Sequence, residues 1–449
     1  MISDLAGGRN AAGTALLTDH YELTMVRAAL RSGMAHRCAV FEMFARHLPN
    51  GRRYGVVAGT GRLLDALERF RFGDDELAFL ERAGIADGPT LDFLRDYRFS
   101  GSIWGYGEGD CYFPGSPILV VEGSFAEAVV LETLALSVLN HDCAIASAAS
   151  RMVTAAHGRP LVEMGSRRTH ERAAIAAARA AYITGFTTTS NLRAGYEYGI
   201  PTSGTSAHAF TLLYGSEKEA FTAQLDALGT GTTLLVDTYD VAGAITEAVQ
   251  LAGTGLGAIR IDSGDLAVVA GEARAQLDAL GALSTRIILT GDLDEFSIAA
   301  LAAEPVDGYG VGTSLVTGSG AATAALVYKM VARADTPDGE LRPVAKRSVG
   351  KPSRGGRKWA IRQPDSTGAA AAELVLVSDA EPAGDDRGRL LLRPLVRDGE
   401  IVGREPLSAA RDRHQAALAE LPGHARQLSR GYPAIPTVFE PDRFEADRG

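Results

Sequence analysis

The chain has 449 residues, long for a single hydrophobic core, so two or three structural units are expected. Hydrophobic residues make up 46% and charged residues 22%, an ordinary globular balance, and the formal net charge of −10 argues against a general nucleic-acid binder. Cys38, Cys111 and Cys143 are widely spaced with no CxxC pair, which excludes a disulfide framework and a zinc site.

The N-terminus lacks a basic start followed by an apolar run, so no signal peptide is expected. No uninterrupted apolar run reaches the length of a membrane span. The nearest, 118–149, is broken by Glu122, Glu127, Glu132, His141 and Asp142. The expectation is a cytoplasmic enzyme with neither a membrane nor a nucleic acid as partner.

In chain order, the first ten residues, with Gly7-Gly8, read as loose. Leu16, Leu23, Val26, Ala29 and Leu30 keep helical spacing over 15–31, with Thr18 or Asp19 as N-cap. Residues 40–44 read as a strand, 62–70 and 74–84 as helices, and 101–107 and 116–122 as strands joined through the Phe113-Pro114-Gly115 turn. The alanine-rich stretch 125–158 keeps helical periodicity throughout.

From Pro160 the rhythm changes. A short strand at 161–165 precedes a helix at 171–181, then the run 182–186, then Thr189-Ser190-Asn191 opening a helix at 192–198. Four apolar runs follow, at 233–236, 258–261, 286–289 and 308–311, most of them separated by helical segments. Strands buried on both faces and alternating with helices point to a parallel sheet or barrel. Beyond Ala332 the chain carries turns, strand-like runs at 374–377 and 390–392, and a helix at 407–421.

Parallel α/β folds hold ligands at the carboxyl ends of their strands, so the residues just after each apolar run carry the chemistry. These are Glu163-Met-Gly-Ser-Arg167-Arg168, Gly204-Thr205-Ser-Ala-His208, Asp237-Thr238-Tyr239-Asp240, Arg260-Ile-Asp262-Ser263-Gly264-Asp265, Thr290-Gly291-Asp292 and Gly310-Val-Gly312-Thr313-Ser314. Carboxylates there suit ribose hydroxyls or a Mg²⁺ already carried by a diphosphate. Gly-Val-Gly-Thr-Ser ahead of a helical segment offers backbone N–H groups to a phosphate, or serves only a tight turn. Arg52-Arg53, Arg167-Arg168 and the basic stretch 346–358 could hold the phosphates of a small ligand, although solvated surface is the commoner role of any one such cluster. His208 follows a loop of small residues and can shuttle a proton or accept a phosphoryl group. Composition and spacing thus describe a phosphosugar-handling α/β enzyme with a reactive histidine.

The motifs carry a resemblance. Thr18-Asp-His-Tyr21-Glu-Leu-Thr-Met, Glu163-Met-Gly-Ser-Arg-Arg, Thr189-Ser-Asn-Leu, Gly204-Thr-Ser-Ala-His, Leu235-Val-Asp-Thr-Tyr, Arg260-Ile-Asp-Ser-Gly-Asp-Leu, Asp292-Leu-Asp-Glu and Gly310-Val-Gly-Thr-Ser-Leu stand in the order of the nicotinate phosphoribosyltransferase family, which the chain resembles over most of its length. The resemblance implies an incomplete (β/α) TIM-like barrel at 126–331. Beside it stands an α/β domain built from 1–125 and 332–449, in a homodimer with shared active sites.

It also implies the substrates nicotinate, 5-phosphoribosyl 1-diphosphate and ATP, with Mg²⁺ carried by the diphosphate and no direct protein ligand. His208 is then the histidine phosphorylated by ATP, and the reaction is the first step of NAD salvage from nicotinate. Tyr21 is implied to stack on the pyridine ring from the partner subunit. Thr205 and Arg260 stand at positions resembling nicotinate contacts, with Arg167 as a competing cation. Asp237 and Asp262 would fix ribose hydroxyls and the metal-bound diphosphate. Ser263, Gly264, Gly291, Asp292, Gly310, Gly312, Thr313 and Arg151 complete the phosphoribosyl candidates.

Two departures bear on the pocket: Thr290-Gly291-Asp292 where the family often has Ser-Asn or Ser-Gly before the aspartate, and Met164 and Ser166 where bulkier residues are frequent. The rivals are nicotinamide phosphoribosyltransferase, and a sugar-phosphate aldolase or isomerase that would want a lysine at these strand ends. None stands there.

Overall fold

The computed structural model describes residues 13–337, 339–346, 353–382 and 387–440. The loose first ten residues and the centre of the basic stretch 346–358 lie outside the described residues. The chain divides into two compact units, Met1–Cys143 with Thr323–Ala425 and Gly431–Gly449, and Ala144–Ala322 with Arg426–Arg430. Cuts at 125/126 and 331/332 differ from this division for two structural reasons. The helix Glu132–Ala155 runs unbroken through the division at Cys143/Ala144. The strand Leu326–Arg333 pairs antiparallel with Cys38–Ala45, a long-range partnership that no local pattern announces.

In the first unit that pairing lies inside a seven-stranded sheet that also carries Leu119–Ser124, Ser102–Gly105 and Arg393–Arg397, every pair antiparallel. A four-stranded sheet holds Lys358–Pro364, Ala370–Val377, Arg389–Leu390 and Thr437–Phe439. The helix expected over 15–31 starts later, at His20–Arg31. There the Asp19 side chain accepts the His20 N–H, and Glu22 returns to the Asp19 N–H in a capping box.

Between the two central strands of the four-stranded sheet, Arg362 Nη2 donates to Glu373 Oε1 at 2.6 Å and to the Cys111 carbonyl at 2.7 Å. Both side chains are essentially inaccessible, at 1% and 0%. Arg362→Ala should therefore cost about 3–5 kcal/mol in urea unfolding, the scale for stranding one member of a buried pair. Replacing both partners with apolar residues should cost clearly less.

The alanine-rich stretch 125–158 is not one helix. A short helix Phe125–Val129, capped by Ser124, is separated by Val130-Leu131 from Glu132–Ala155. Among the described residues, Phe125–Ala155 is the one stretch long and apolar enough to cross a bilayer, which the interrupting charges had argued against; 67% of its window is buried inside the protein. Its apolarity follows from burial: Ala144, Ala146, Ala148, Ala149 and Met152 are all inaccessible.

The second unit is a six-stranded parallel half-barrel sheet. Its strands are β1 (Leu161–Glu163), β2 (Thr188–Thr189), β3 (Thr233–Leu235), β4 (Ala258–Ile261), β5 (Arg286–Leu289) and β6 (Gly308–Val311). The order is β2-β1-β6-β5-β4-β3, all parallel, with β2 and β3 at the edges. Parallel neighbours need crossovers. These are α1 (Glu171–Thr184), α2 (Leu192–Tyr198), α3 (His208–Leu213), α4 (Glu217–Leu228), α5 (Val241–Ala252), α6 (Leu266–Ala279) and α7 (Glu295–Ala300), with the single turn α8 (Thr313–Val316) after β6.

The apolar run 182–186 splits: Tyr182–Thr184 finish α1, Gly185 caps it at φ +126°, and the strand begins only at Thr188. Ile259, Ile261, Ile287 and Leu289 are fully buried in adjacent strands, each worth roughly 1.5–3 kcal/mol of transfer free energy. That core holds the strand ends, and everything beyond them, in fixed register.

Candidate functional site

His208 opens α3 after the extended N-cap Ala207 (φ −113°, ψ 162°), so the turn of small residues ends by presenting an imidazole at a helix start. Its Nδ1 lies 3.1 Å from Thr238 Oγ1 and its Nε2 lies 3.8 Å from Asp237 Oδ1. The histidine side chain is 40% exposed and the aspartate 2%, so a ligand reaches the ring while the carboxylate behind it stays shielded from water. Asp237 Oδ2 accepts from the Asp262 N–H at 2.9 Å and from the Ser263 hydroxyl at 2.6 Å. Its Oδ1 is buried with no hydrogen bond among the described residues. A buried acceptor left open is costly, and a charged imidazole at that distance is the group best suited to satisfy it.

Arg260 rises from β4 into a second set of contacts. Its Nε donates to Thr290 Oγ1 at 2.9 Å and Nη2 to Asp262 Oδ1 at 2.9 Å. Nη1 donates to Thr205 Oγ1 and the Ser206 carbonyl, each at the longer distance of 3.3 Å. The Thr290 hydroxyl also donates to Asp262 Oδ1. Partial burial works against the Asp262 charge, but the Thr290 hydroxyl, the Arg260 guanidinium and the nearby His208 outweigh it. They hold the carboxyl below the usual carboxylate range. Thr290 thus keeps the hydroxyl of the more frequent serine and uses it to lock the Arg260–Asp262 pair.

Close backbone approach explains two of the glycines. Gly291 sits at φ +114°, and a Cβ there would lie 2.4 Å from the Asp262 carbonyl oxygen. Gly291→Ala should push the β4 and β5 ends apart and lower kcat/KM by roughly tenfold or more, for strain of order 1–3 kcal/mol at the site. Steady-state kinetics beside a melting curve would separate this from global unfolding. A Cβ on Gly310 would lie 2.5 Å from Thr290 Cγ2 and 2.7 Å from Met164 Sδ, so packing by itself accounts for that glycine. Gly312 and Thr313 follow at the mouth of β6, with Thr313 exposed, but the expected helical segment is the one turn α8. Gly264 (φ +90°), Asp292 (φ +48°) and Ser263 are exposed at the ends of β4 and β5.

The guanidinium of Arg151 is buried and committed, Nε to Glu295 Oε1 at 3.0 Å and Nη2 to the Leu428 carbonyl at 2.8 Å. Arg167 is exposed in the turn after β1 with no ion-pair partner among the described residues. Tyr21 belongs to the first unit, on the first turn of His20–Arg31, 44% exposed. Its phenol is pushed well above the usual range by partial burial and by Glu132, to which it donates. No cluster of His, Cys, Asp and Glu suited to a metal occurs among the described residues. The roles of Thr238 and Thr290 were not assigned from sequence. Their one signal is a hydroxyl beside a strand end, which becomes informative only when the facing strand is known.

Residues 16–140 match the nicotinate phosphoribosyltransferase (NAPRTase) N-terminal domain. The chain is 60% identical over 430 residues to a nicotinate phosphoribosyltransferase of Mycobacterium tuberculosis, covering 94% of each chain. It is similar in structure to human nicotinic acid phosphoribosyltransferase, with TM-score 0.82, 25% identity, and 96% of this chain and 98% of that one covered. The fold is shared with the nicotinate-nucleotide pyrophosphorylase of Pyrococcus furiosus, at TM-score 0.75, 23% identity, and 94% and 99% coverage. With the motifs at these strand ends and identity sustained along almost the whole chain, the protein belongs to the nicotinate phosphoribosyltransferase family.

Proposed function

We propose that the protein joins nicotinate to 5-phosphoribosyl 1-diphosphate, forming nicotinate mononucleotide and diphosphate, and that ATP cleavage drives the reaction through a phosphohistidine at His208. The pyridine nitrogen lone pair forms the bond to the anomeric carbon. The bond from that carbon to the diphosphate oxygen breaks, and the diphosphate leaves with its electron pair. The nitrogen is already a nucleophile, so no strong general base is needed. In this reading Asp262 and Ser263, with the shielded Asp237 carboxylate behind them, hold ribose hydroxyls, and Mg²⁺ enters with the diphosphate it neutralises.

In the coupled half-reaction an imidazole nitrogen takes the terminal phosphoryl group of ATP and ADP departs. Water later cleaves the P–N bond. The observation that carries this reading is the solvent-open His208 ring backed by the buried, unsatisfied Asp237 Oδ1. That carboxylate favours the cationic ring present once the phosphorylated nitrogen bears its new bond.

The same reading takes the six parallel strands as the incomplete TIM-like barrel and the enzyme as cytoplasmic. It is taken as a homodimer with shared active sites, with Tyr21 of a second copy stacking on the pyridine ring, and as the first step of NAD salvage from nicotinate. The test is a product assay with phosphoribosyl diphosphate, Mg²⁺ and either nicotinate or nicotinamide, with and without ATP. Nicotinate mononucleotide formed faster with ATP is the expected result. Turnover of nicotinamide alone, or of neither base, would overturn it.

A further inference from the structure

Glu163 ends β1 and is wholly inaccessible to solvent. No lysine, arginine or histidine pairs with it among the described residues; its partners are the Gly165 N–H, donating to Oε1 at 2.5 Å, and the Thr189 hydroxyl at Oε2. The Thr189 oxygen also accepts the Asn191 N–H at 2.9 Å, and the Asn191 amide donates to Ser166 Oγ at 2.9 Å. The carboxyl group therefore ties the end of β1 to the end of β2 and pins the start of the 165–168 turn at Gly165, while Asn191 holds Ser166. That turn has no slack: a Cβ on Gly165 would lie 2.1 Å from Val316 Cγ1 and 3.1 Å from the Gly312 carbonyl oxygen. The turn bearing Arg167 and Arg168 is thus packed directly on the Gly312 loop and α8.

We propose that Glu163 is a positioning residue for the phosphoribosyl substrate, an uncharged acid that fixes the 165–168 turn against the 312–313 loop without placing a negative charge beneath the substrate's phosphates. The proposal rests on the phosphoribosyl reading of these loops. A carboxylate buried here without a cation would lose its hydration and repel an incoming polyanion through low-dielectric protein. As the neutral acid it meets neither cost: it keeps the Gly165 N–H bond, and the Thr189 bond reverses, with Oε2–H donating to Thr189 Oγ1. Consistent with this geometry, burial pushes the Glu163 carboxyl above the usual carboxylate range by more than Thr189 and the Gly165 N–H pull it down.

The test compares wild type, Glu163→Gln and Glu163→Ala as full-length protein. Glutamine, an uncharged isostere, should keep the KM for phosphoribosyl diphosphate within about twofold of wild type. Alanine should raise that KM by roughly tenfold or more with a smaller change in kcat, as expected when a group acts through the loop and not on reacting atoms. Should the alanine variant fail to fold, Thr189→Val removes the bridging hydroxyl and should raise the same KM.

A second readout needs no substrate, so it stands apart from the assignment of activity. A raised folded value means that protonated Glu163 is bound more tightly in the fold than in the unfolded chain. Its stabilising effect is present below the unfolded value of about 4.3 and is lost as pH rises through the folded value. The melting temperature of Glu163→Gln relative to wild type should therefore climb as pH rises above about 4.3. A flat difference, a glutamine variant as impaired as alanine, or an unchanged KM in the alanine and valine variants would each overturn the proposal.

Discussion

His208→Ala is expected to abolish ATP-stimulated nicotinate mononucleotide formation and to reduce ATP hydrolysis to background. The deficit should be roughly 10²-fold or more, the scale on which loss of one essential proton-handling or charge-stabilising group lowers turnover. No neighbour replaces the imidazole: Thr238 Oγ1, which contacts its Nδ1, is a weak nucleophile, and the Asp237 carboxylate, whose Oδ1 faces its Nε2, is only 2% exposed. Labelling with γ-³²P-ATP gives the check. An acid-labile label on wild type and none on the variant is the expected pair. ATP-stimulated turnover surviving in the variant would sink the phosphohistidine while leaving the transfer reaction standing. Asp237→Asn should keep the contacts at Oδ2 in part but remove the charge facing Nε2, and so weaken coupling more than it weakens substrate binding.

Arg260→Ala is expected to raise the KM for nicotinate by about 10- to 150-fold, from the 1.5–3 kcal/mol carried by a hydrogen bond to a charged group. Nicotinamide, which lacks the carboxylate, should be affected far less, so the ratio of kcat/KM for the two bases is the decisive measurement. In the free protein Arg260 is held by Thr290, Asp262, Thr205 and Ser206, but the two bonds at Nη1 are long, 3.3 Å each. An incoming carboxylate offers shorter, charge-assisted bonds and can displace them. Arg260→Lys keeps the charge without the planar fork and should recover little.

The variant also has a pH signature. Because the Asp262 carboxyl is held below its ordinary value, its contribution to stability is present above the unfolded value of about 3.9 and lost as pH falls through the lower folded one. Removing Arg260 should shrink that acid-side loss. An unchanged nicotinate KM would hand the carboxylate to another cation, with Arg167 as the first to examine.

The half-barrel was legible because its strands are buried on both faces. Runs such as 258–261 and 286–289 are apolar but for one arginine each, and each is followed by the carboxylates, glycines and hydroxyls that a parallel sheet delivers to one edge. Gly291 marks a backbone approach that only glycine permits, which its place in the Thr290-Gly291-Asp292 loop did not announce before the Asp262 carbonyl was found to face it. The break at Val130-Leu131 and the helical fate of Tyr182–Thr184 were not readable. Alanine-rich and apolar stretches satisfy helix and strand patterns equally, and the choice falls to packing.

Which chemistry the chain can perform was thus determined locally: His208 after small residues, aspartates and arginine at strand ends, glycines in strand-end loops. Which of these groups touch was decided only by tertiary structure. Arg260 meets Thr205, Asp262 and Thr290 from three strand-end loops, and Glu163 meets Thr189 across a strand pair. Arg151, by contrast, is drawn to Glu295. The physical reason is range. Residue type and local periodicity reach a few positions along the chain, whereas these bonds depend on strand register and crossover packing over separations of tens of residues.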